Sequence, residues 1–196
     1  MAAQPILKSL KPVDPERAQG AEKDILDKAK ARAGFIPNMY ANMANAPAVL
    51  DTYLHGYGLF RSESGFTPPE QEVVFLAASQ SNGCTYCMAA HSMIADKVSK
   101  VPPQVLQAIR DGRPIPDARL AALFQLTSEM VRTQGRPSAA TVRAFLDAGF
   151  EEKKLLYVVL ALAVKTLSNF SNHALATEVD ERFAAYRVEP SDAAVA

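Results

Sequence analysis

The chain has 196 residues, 21 Lys plus Arg against 21 Asp plus Glu, and only two cysteines. This length is enough for one well-buried core and short for two domains of the usual ~100 to 150 residues each, so we predict a single domain over 1–196. The basic residues form no dense or aromatic-interleaved patch, which argues against nucleic acid or an anionic membrane as a partner. Small molecules and other proteins are the expected partners.

The N-terminal stretch MAAQPILKSLKPVDPERA lacks a charged head followed by an unbroken apolar core. No run along the chain approaches the roughly 18 to 20 apolar residues that cross a bilayer. These features favour a cytoplasmic protein. In a reducing compartment, a C-x-x-C pair is more typical of catalysis or metal binding than of a structural disulfide.

Apolar residues recur with helical rather than alternating spacing between proline and glycine breaks, which predicts an all-α protein. A first helix is predicted over 21–33, and GFIPN at 34–38 is predicted to be a turn. The next helix begins at Pro47, although Gly56 and Gly58 weaken it.

The middle of the chain has the clearest helix boundaries. Thr67 is followed by two prolines and two glutamates, of which Glu72 is the second. A capping hydroxyl, prolines in the first turn and acids near the positive end of the helix dipole together predict a helix start. This helix is expected to end at Asn82–Gly83, and the cysteine segment begins a second helix after the glycine. Residues 67–97 are the predicted catalytic helix pair.

The C-terminal half is predicted to be helical as well. A short helix is expected to open at Val101-Pro102-Pro103 and to run to Arg110, followed by helices over 117–134 and over 138–148. Residues 151–168 are apolar almost all round, which predicts complete burial in the bundle or at a subunit contact. A last helix is expected to hold His173 and Phe183, and a disordered tail is predicted over 190–196.

Two segments of the chain resemble each other in sequence. A shift of 82 positions places EQEVVFLAAS on EKKLLYVVLA and His91 on His173. Two helix pairs are therefore candidates for copies of one unit, although apolar helices resemble one another by periodicity alone. The second copy would lack both cysteines.

The segment SQSNGCTYCMAAHSMIADK holds both cysteines and one of the three histidines. On a helix, Cys87 lies about 60° from Cys84, and His91 lies about 40° from Cys87, so all three share one face. The step of four residues from Cys87 to His91 lets the imidazole reach the sulfur and accept its proton. The helix N-terminus lowers the pKa of the thiols further, and His91 favours Cys87 as the reactive one.

This spacing is typical of thiol redox chemistry. A thiolate beside a second thiol can attack an electrophilic oxygen, become a sulfenic acid and be captured by its neighbour as a disulfide. Glu72 would lie near this pair if the reversal at Asn82–Gly83 lays the two helices antiparallel. A carboxylate there can orient the imidazole or pass its proton on through water.

Other interpretations remain open at this level. Cys84, Cys87 and His91 supply three zinc ligands, with Glu72, His55 or His173 as the fourth, in a zinc-stabilised or ligand-binding module. A cofactor-free lyase or decarboxylase would use His91 and Glu72 alone. In the structural interpretation, the cysteines are small buried residues, Glu72 is a surface acid at the helix dipole, and His55 and His173 pack or hydrogen-bond within the bundle.

The stretch EQEVVFLAASQSNGCTYCMAAHSMIA resembles the alkylhydroperoxidase D branch of the carboxymuconolactone decarboxylase family. That pattern is a glutamate, an apolar helix, an asparagine or similar residue before a C-x-x-C pair, and a histidine four residues later. It is matched here by Glu72, Asn82, Cys84, Cys87 and His91. Glu72 lies twelve residues before Cys84, the spacing of that branch. GFIPN and NFSNHALATEVD resemble the larger peroxidase-related members.

The resemblance implies an all-α bundle of packed helix hairpins that assembles into dimers, trimers or hexamers. It implies reduction of hydrogen peroxide or organic hydroperoxides without haem, flavin or metal, with a dithiol or a lipoyl-linked protein as reductant. It also implies that Glu72 is a member of the proton relay. Decarboxylases of the family do not use the C-x-x-C pair, so both cysteines argue against that activity.

Overall fold

The computed structural model describes residues 4–189, and over that range the chain is all-α, as the sequence predicts. The predicted tail over 190–196 lies outside the described residues. Nine α-helices and one 3-10 helix follow in chain order: α1 (Gly20–Ala33), α2 (Asn38–Met43), α3 (Pro47–Glu63), α4 (Pro68–Ser81), α5 (Thr85–Lys97), α6 (Pro103–Arg110), α7 (Ala118–Arg132), α8 (Ala139–Asp147), α9 (Lys153–Leu175) and the 3-10 helix (Glu181–Tyr186). The sequence prediction missed α2, which directly follows the predicted turn.

The start of α4 has the capping geometry that its sequence predicts. The Thr67 hydroxyl accepts from the Glu70 backbone N–H, and the Glu70 carboxylate accepts from the Thr67 backbone N–H at 2.8 Å. This reciprocal pair satisfies two donors that a helix start otherwise leaves free. Because Glu70 is used in the cap, Glu72 remains available one turn into the helix.

The link between α4 and α5 is a tight glycine turn. Gly83 has φ 66°, its N–H donates to Gln80, and the Cys84 N–H donates to the Ser79 carbonyl at 2.9 Å. These two bonds form the Schellman ending of a helix, which requires the left-handed conformation that glycine adopts most easily. Cys84 then serves as the N-cap of α5. The turn therefore places the first cysteine directly at the junction.

The central helix of the fold is α4, where every residue from Glu70 to Ser79 is buried. It packs against α5, α7 and α9, so no face of it meets solvent over that stretch. Two hydrophobic clusters surround it. One involves α4 and α6 to α9, and the other brings α1 to α3 together with the cysteine end of α5 and with Val164 of α9.

The structure corrects the prediction of a last helix holding His173 and Phe183. His173 lies near the end of α9, and Phe183 lies in the 3-10 helix. Between them, Ala176 adopts the left-handed conformation at φ 46° and ends α9. The apolar periodicity of the sequence does not mark this break, because no glycine or proline stands there.

Helix α9 also does not repeat the α4–α5 pair. At the positions that the 82-residue shift places on Asn82–Gly83, α9 runs unbroken through Val164 and Lys165. The similar sequence segment therefore lies in one continuous helix rather than in a second helix–turn–helix unit. The stretch 151–168 is not completely buried within the bundle, since Leu156 and Val159 are exposed, and the alternative of burial at a subunit contact stays a prediction.

By length and composition alone, α9 is apolar enough to cross a membrane. In the fold it contacts α2, α3, α4 and α5, and the residues that it buries include Lys165, Ser168, Asn169 and Asn172. These four polar side chains face protein, whereas Leu156, Val159 and Phe170 are exposed. The composition of α9 therefore carries little weight as a sign of membrane insertion.

Candidate active site

The two cysteines lie at the N-terminus of α5, both buried and both free thiols. Cys84 is the N-cap, with extended backbone, and Cys87 is the third residue of the helix. The sequence prediction placed both on one helical face, but Cys84 lies just outside the helix. Cys87 is thus the cysteine within the first turn, where the positive end of the helix dipole favours a negative charge.

Helix α9 supplies the polar contacts of the cysteine pair. The Asn172 side-chain amide donates to the Cys87 sulfur at 3.2 Å and approaches the Cys84 sulfur at 3.7 Å. The Ser168 hydroxyl oxygen lies 4.0 Å from the Cys87 sulfur. In addition, Asn82 of the glycine turn donates to the side-chain oxygen of Asn169 at 2.9 Å, which fixes the turn to α9.

The surroundings of the two thiols push their pKa values apart. Burial alone raises the pKa of Cys87, but a hydrogen bond from the Cys84 thiol and the positive charge of Lys165 outweigh it, so that this pKa lies well below its ordinary value. Burial and the donation of its own hydrogen bond to Cys87 raise the pKa of Cys84 well above its ordinary value. These opposite shifts make Cys87 the thiol that ionises more readily and favour a proton on Cys84.

Glu72 and His91 form a buried pair next to the cysteines. His91 Nδ1 lies 2.9 Å from Glu72 Oε2. The other oxygen of Glu72 accepts from Arg61, which also donates to the Tyr57 hydroxyl at 2.6 Å. Glu72 is completely buried, so the alternative of a surface acid at the helix dipole is wrong.

The charge states of this pair follow from its burial. For Glu72, burial raises the pKa, but the interactions with His91 and Arg61 outweigh it and hold this pKa below its ordinary value. For His91, burial and the nearby Lys165 charge lower the pKa and outweigh the carboxylate. A neutral His91 that donates Nδ1–H to an ionised Glu72 keeps Nε2 as a proton acceptor.

A cavity of about 530 Å³ meets this cluster. Its walls are mainly aromatic and aliphatic, among them Phe35, Tyr40, Tyr53, Met93 and Phe183. Its polar wall includes Arg61, Cys87, His91 and Lys165, whereas Cys84 and Glu72 do not line it. A molecule in the cavity would therefore meet Cys87 and His91 directly, with Cys84 and Glu72 behind them.

The structure brings all four predicted site residues into one cluster but leaves the other two histidines outside it. His55 and His173 are both exposed, and His173 stacks on Phe170. Sequence reasoning missed the residues that surround the cluster from other helices. They are Tyr57 and Arg61 of α3, and Lys165, Ser168 and Asn172 of α9. The sequence feature that could have indicated the residues of α9 is the presence of Lys165, Asn169 and Asn172 in a largely apolar helix.

The zinc alternative lacks a fourth ligand. Glu72 is engaged with His91 and Arg61, and His55 and His173 are on the surface. Across residues 4–189, no group of three or more His, Cys, Asp or Glu side chains has the arrangement of a metal site. The donor set present here thus fits thiol chemistry better than metal coordination.

A family model matches the part of the chain that holds this site. Residues 47–129 match the model of the Carboxymuconolactone decarboxylase family, a stretch that contains Glu72, Cys84, Cys87 and His91. The family resemblance of the motif is therefore confirmed. No curated protein is significantly similar in sequence.

Solved structures show the same fold over nearly the whole chain. A protein of Ralstonia eutropha JMP134, described as an alkylhydroperoxidase AhpD core and uncharacterized peroxidase-related protein, is 21% identical with a TM-score of 0.76, and the match covers 96% of this chain and 100% of that one. A peroxidase-related protein of Silicibacter sp. TM1040 is 20% identical with a TM-score of 0.70, over 92% and 96%. The debrominase Bmp8, solved as a variant with 2,3,4-tribromopyrrole, is 13% identical with a TM-score of 0.74, over 91% and 95%.

Proposed function

Because residues 47–129 match the carboxymuconolactone decarboxylase family and the fold is that of the AhpD core, we propose that this protein is a thiol-dependent peroxidase. One observation carries the proposal. Cys87 and His91 line the cavity, whereas Cys84 and Glu72 do not line it but lie next to them. This is the arrangement that a dithiol peroxidase needs, with one thiol exposed to substrate and the second held ready.

In the proposed first step, the Cys87 sulfur forms a bond to one peroxide oxygen, and the O–O bond breaks. The Cys87 thiol becomes a sulfenic acid, and the hydroperoxide leaves as an alcohol or as water. His91 Nε2 holds the proton that Cys87 gives up and returns it to the leaving oxygen, while Glu72 fixes the ring through Nδ1.

In the second step, Cys84 captures the sulfenic acid. The Cys84 sulfur bonds to the Cys87 sulfur, water leaves, and the pair becomes a disulfide. A dithiol or a lipoyl-linked protein then reduces the disulfide by thiol exchange and is itself oxidised. We place this cycle in the cytoplasm, where such reductants keep thiols reduced.

The size and walls of the cavity favour an organic hydroperoxide over hydrogen peroxide. A volume of about 530 Å³ is in the range of sites that enclose small organic molecules. Tyr40, Tyr53 and Phe183 present aromatic surface to such a molecule. An apolar substrate would gain from leaving water, and hydrogen peroxide would not.

Single-thiol variants test the proposal. Reduced protein is mixed with cumene hydroperoxide, and the products are identified by mass spectrometry of the 79–97 peptide. Wild-type protein should lose two hydrogen atoms in a Cys84–Cys87 disulfide, Cys84→Ser should gain one oxygen atom on Cys87, and Cys87→Ser should not react. Reaction of Cys84 in the Cys87→Ser variant would exchange the two roles.

Histidine variants supply a matched control. His91→Asn should slow peroxide reduction by about 10²- to 10⁴-fold, as expected for the loss of a positioned base. His55→Asn, a change of the same kind at an exposed position, should keep the wild-type rate. Absence of any thiol oxidation in wild-type protein at millimolar peroxide would overturn the proposal.

A second candidate function is removal of halogen from an aromatic ring. Two observations favour it, namely the fold shared with the debrominase Bmp8 and the aromatic walls of the cavity. Here the Cys87 thiolate would take the halogen from carbon, the ring would accept a proton, and Cys84 would displace halide to form the same disulfide. Release of bromide from 2,3,4-tribromopyrrole, with no oxidation by cumene hydroperoxide, would favour this reaction.

The cofactor-free lyase alternative uses Glu72 and His91 without the thiols. A variant with both cysteines changed to alanine separates it from the two redox reactions. The thiol reactions should vanish in this variant, since each ends in a Cys84–Cys87 disulfide. Full turnover of a lactone or acid substrate by the double variant would instead support the lyase.

A further inference from the structure

Lys165 is a buried cation that neither the sequence motif nor the family resemblance assigns to the site. The residue is 1% exposed, and its Nζ has no hydrogen-bond partner within residues 4–189. A buried ammonium without a partner is strongly unfavourable. Its retention in the middle of α9 therefore calls for a compensating anion.

Helix geometry directs Lys165 toward Cys87. Lys165, Ser168 and Asn172 follow one another at three and four residues, so they share one face of α9. Ser168 and Asn172 both approach the Cys87 sulfur, at 4.0 and 3.2 Å. Lys165 and Cys87 also line the same cavity. The lysine is thus the third member of a polar row that faces this thiol.

A second contact connects the lysine to the His91 ring through Phe75. The Lys165 ammonium lies 5.7 Å from the centroid of the Phe75 ring, and Phe75 stacks on His91 at 4.8 Å between centroids. The same positive charge lowers the pKa of both His91 and Cys87. Both effects follow if one buried charge stands near the two groups.

The other charged or titratable groups around Cys87 do not provide this charge. Burial raises the pKa of Tyr40, Tyr53, Tyr57 and Tyr86, which keeps these phenols neutral. Arg61 is engaged with Glu72, and Arg32 donates to the Leu54 carbonyl at 2.7 Å. Cys84 and His91 are the other titratable groups that act on Cys87, and Asp180 accepts from the Tyr86 hydroxyl at 2.6 Å. Of the three Lys and Arg side chains that line the cavity in the described part of the chain, Arg32, Arg61 and Lys165, only Lys165 has no hydrogen-bond partner.

We propose that Lys165 is a positioning residue of this site and that its ammonium is the counter-charge of the Cys87 thiolate. Lys165 takes no part in the proton transfer, and the thiol proton leaves through His91. Lys165 would thereby make Cys87, rather than Cys84, the attacking sulfur. The inference deepens the proposed function, and the catalytic role of Lys165 rests on that function. The test, however, measures the reactivity of the Cys87 thiol and not peroxidase activity.

The test measures alkylation of Cys87 by iodoacetamide as a function of pH. All variants carry Cys84→Ser, so that Cys87 is the one thiol left for iodoacetamide to alkylate. In Lys165→Met, the midpoint of the alkylation profile should rise by at least one pH unit, with an about tenfold slower reaction below the midpoint. In Lys165→Arg, the midpoint should return most of the way to the wild-type value, because arginine restores the positive charge.

A matched control comes from the same helix. Lys153 is exposed and paired with Glu151, so Lys153→Met should leave the profile unchanged. Lys165→Gln serves as a second neutral variant, and circular dichroism at each pH confirms that the variants are folded. An unchanged midpoint in folded Lys165→Met or Lys165→Gln would overturn the inference.

The outcome is separable from that of the proposed function. If Lys165→Met shifts the midpoint while wild-type protein reduces no hydroperoxide, the inference stands and the peroxidase proposal falls. If wild-type protein reduces hydroperoxide while the midpoint stays constant, the peroxidase proposal stands and the inference about Lys165 falls. A lysine that instead bound the anionic group of a substrate would leave the midpoint unchanged, and this result would count against the inference.

Discussion

At the residue scale, Glu72 is a carboxylate with no exposed surface whose two oxygens face two different partners. One oxygen accepts from His91 and the other from Arg61. The ion pair with Arg61 keeps the carboxylate charged, and the charged carboxylate fixes the imidazole. The state of His91 therefore depends on a side chain of α3, a helix outside the sequence motif.

The pH dependence of stability reports the state of His91. Its pKa in the folded protein lies below the ordinary value of 6.5, so the stability due to neutral His91 is present above 6.5 and is lost as pH falls through the folded value. Urea unfolding of wild-type protein should show a free energy that falls with pH below about 6.5. The His91 contribution to this slope is at most about 1.4 kcal/mol per pH unit.

The control is a histidine that the fold leaves in solvent. His91→Gln should remove the His91 part of the slope, whereas His55→Gln should keep the wild-type slope because His55 is exposed. Equal slopes for wild-type protein and His91→Gln would show that His91 takes up its proton equally well in the folded and unfolded states.

At the scale of elements, α3 and α9 approach each other closely at Gly56. A Cβ atom on Gly56 would lie 2.9 Å from Val164 Cγ2, closer than side chains pack. Val164 precedes Lys165, so this approach sets the position of the polar row of α9. The glycine that weakens α3 as a helix is thus the residue that allows α9 to reach the cysteines.

Two glycine variants of α3 test this packing. Gly56→Ala should lower the free energy of unfolding by about 1 to 3 kcal/mol, because an added methyl group overfills a packed contact. Gly58→Ala is the matched control, since its Cβ would meet only Arg32 at an ordinary 3.6 Å. That variant should be more stable than wild type by up to about 1 kcal/mol, as alanine is the better helix former. Equal effects would contradict the packing argument.

At the scale of the whole molecule, the outer face of α9 is apolar. Leu156, Val159 and Phe170 are 70%, 46% and 55% exposed, and they lie within about 60° of one another around the helix. Lys165 lies about 180° from Leu156. We propose that this stripe, defined by Leu156, Val159 and Phe170, is where a second copy of the chain packs, because one apolar patch is complementary to itself across a two-fold axis.

Light scattering after size-exclusion chromatography tests the assembly. Wild-type protein should be a homo-oligomer, and Leu156→Glu combined with Phe170→Glu should yield monomers, because burying two carboxylates opposes association. Leu10→Glu, at an exposed leucine outside α9, should keep the wild-type mass. A monomeric wild-type protein at micromolar concentration would contradict the expectation of a homo-oligomer.

The sequence by itself determined the helical class, most helix boundaries and the four motif residues. These features are local. Thr67 caps its own helix, Gly83 forms its own turn, and the spacing of Cys84, Cys87 and His91 is set within a few residues. Such features depend on backbone geometry over one or two turns, which a single segment already specifies.

Only the tertiary structure decided which groups complete the site. Arg61 comes from α3, Lys165 and Asn172 come from α9, and no spacing rule connects them to the cysteines. The end of α9 at Ala176 and the exposure of Leu156 likewise depend on the elements packed nearby. The physical reason is that burial, charge pairing and the resulting pKa shifts arise between segments distant in the chain, so they exist only once the helices are packed.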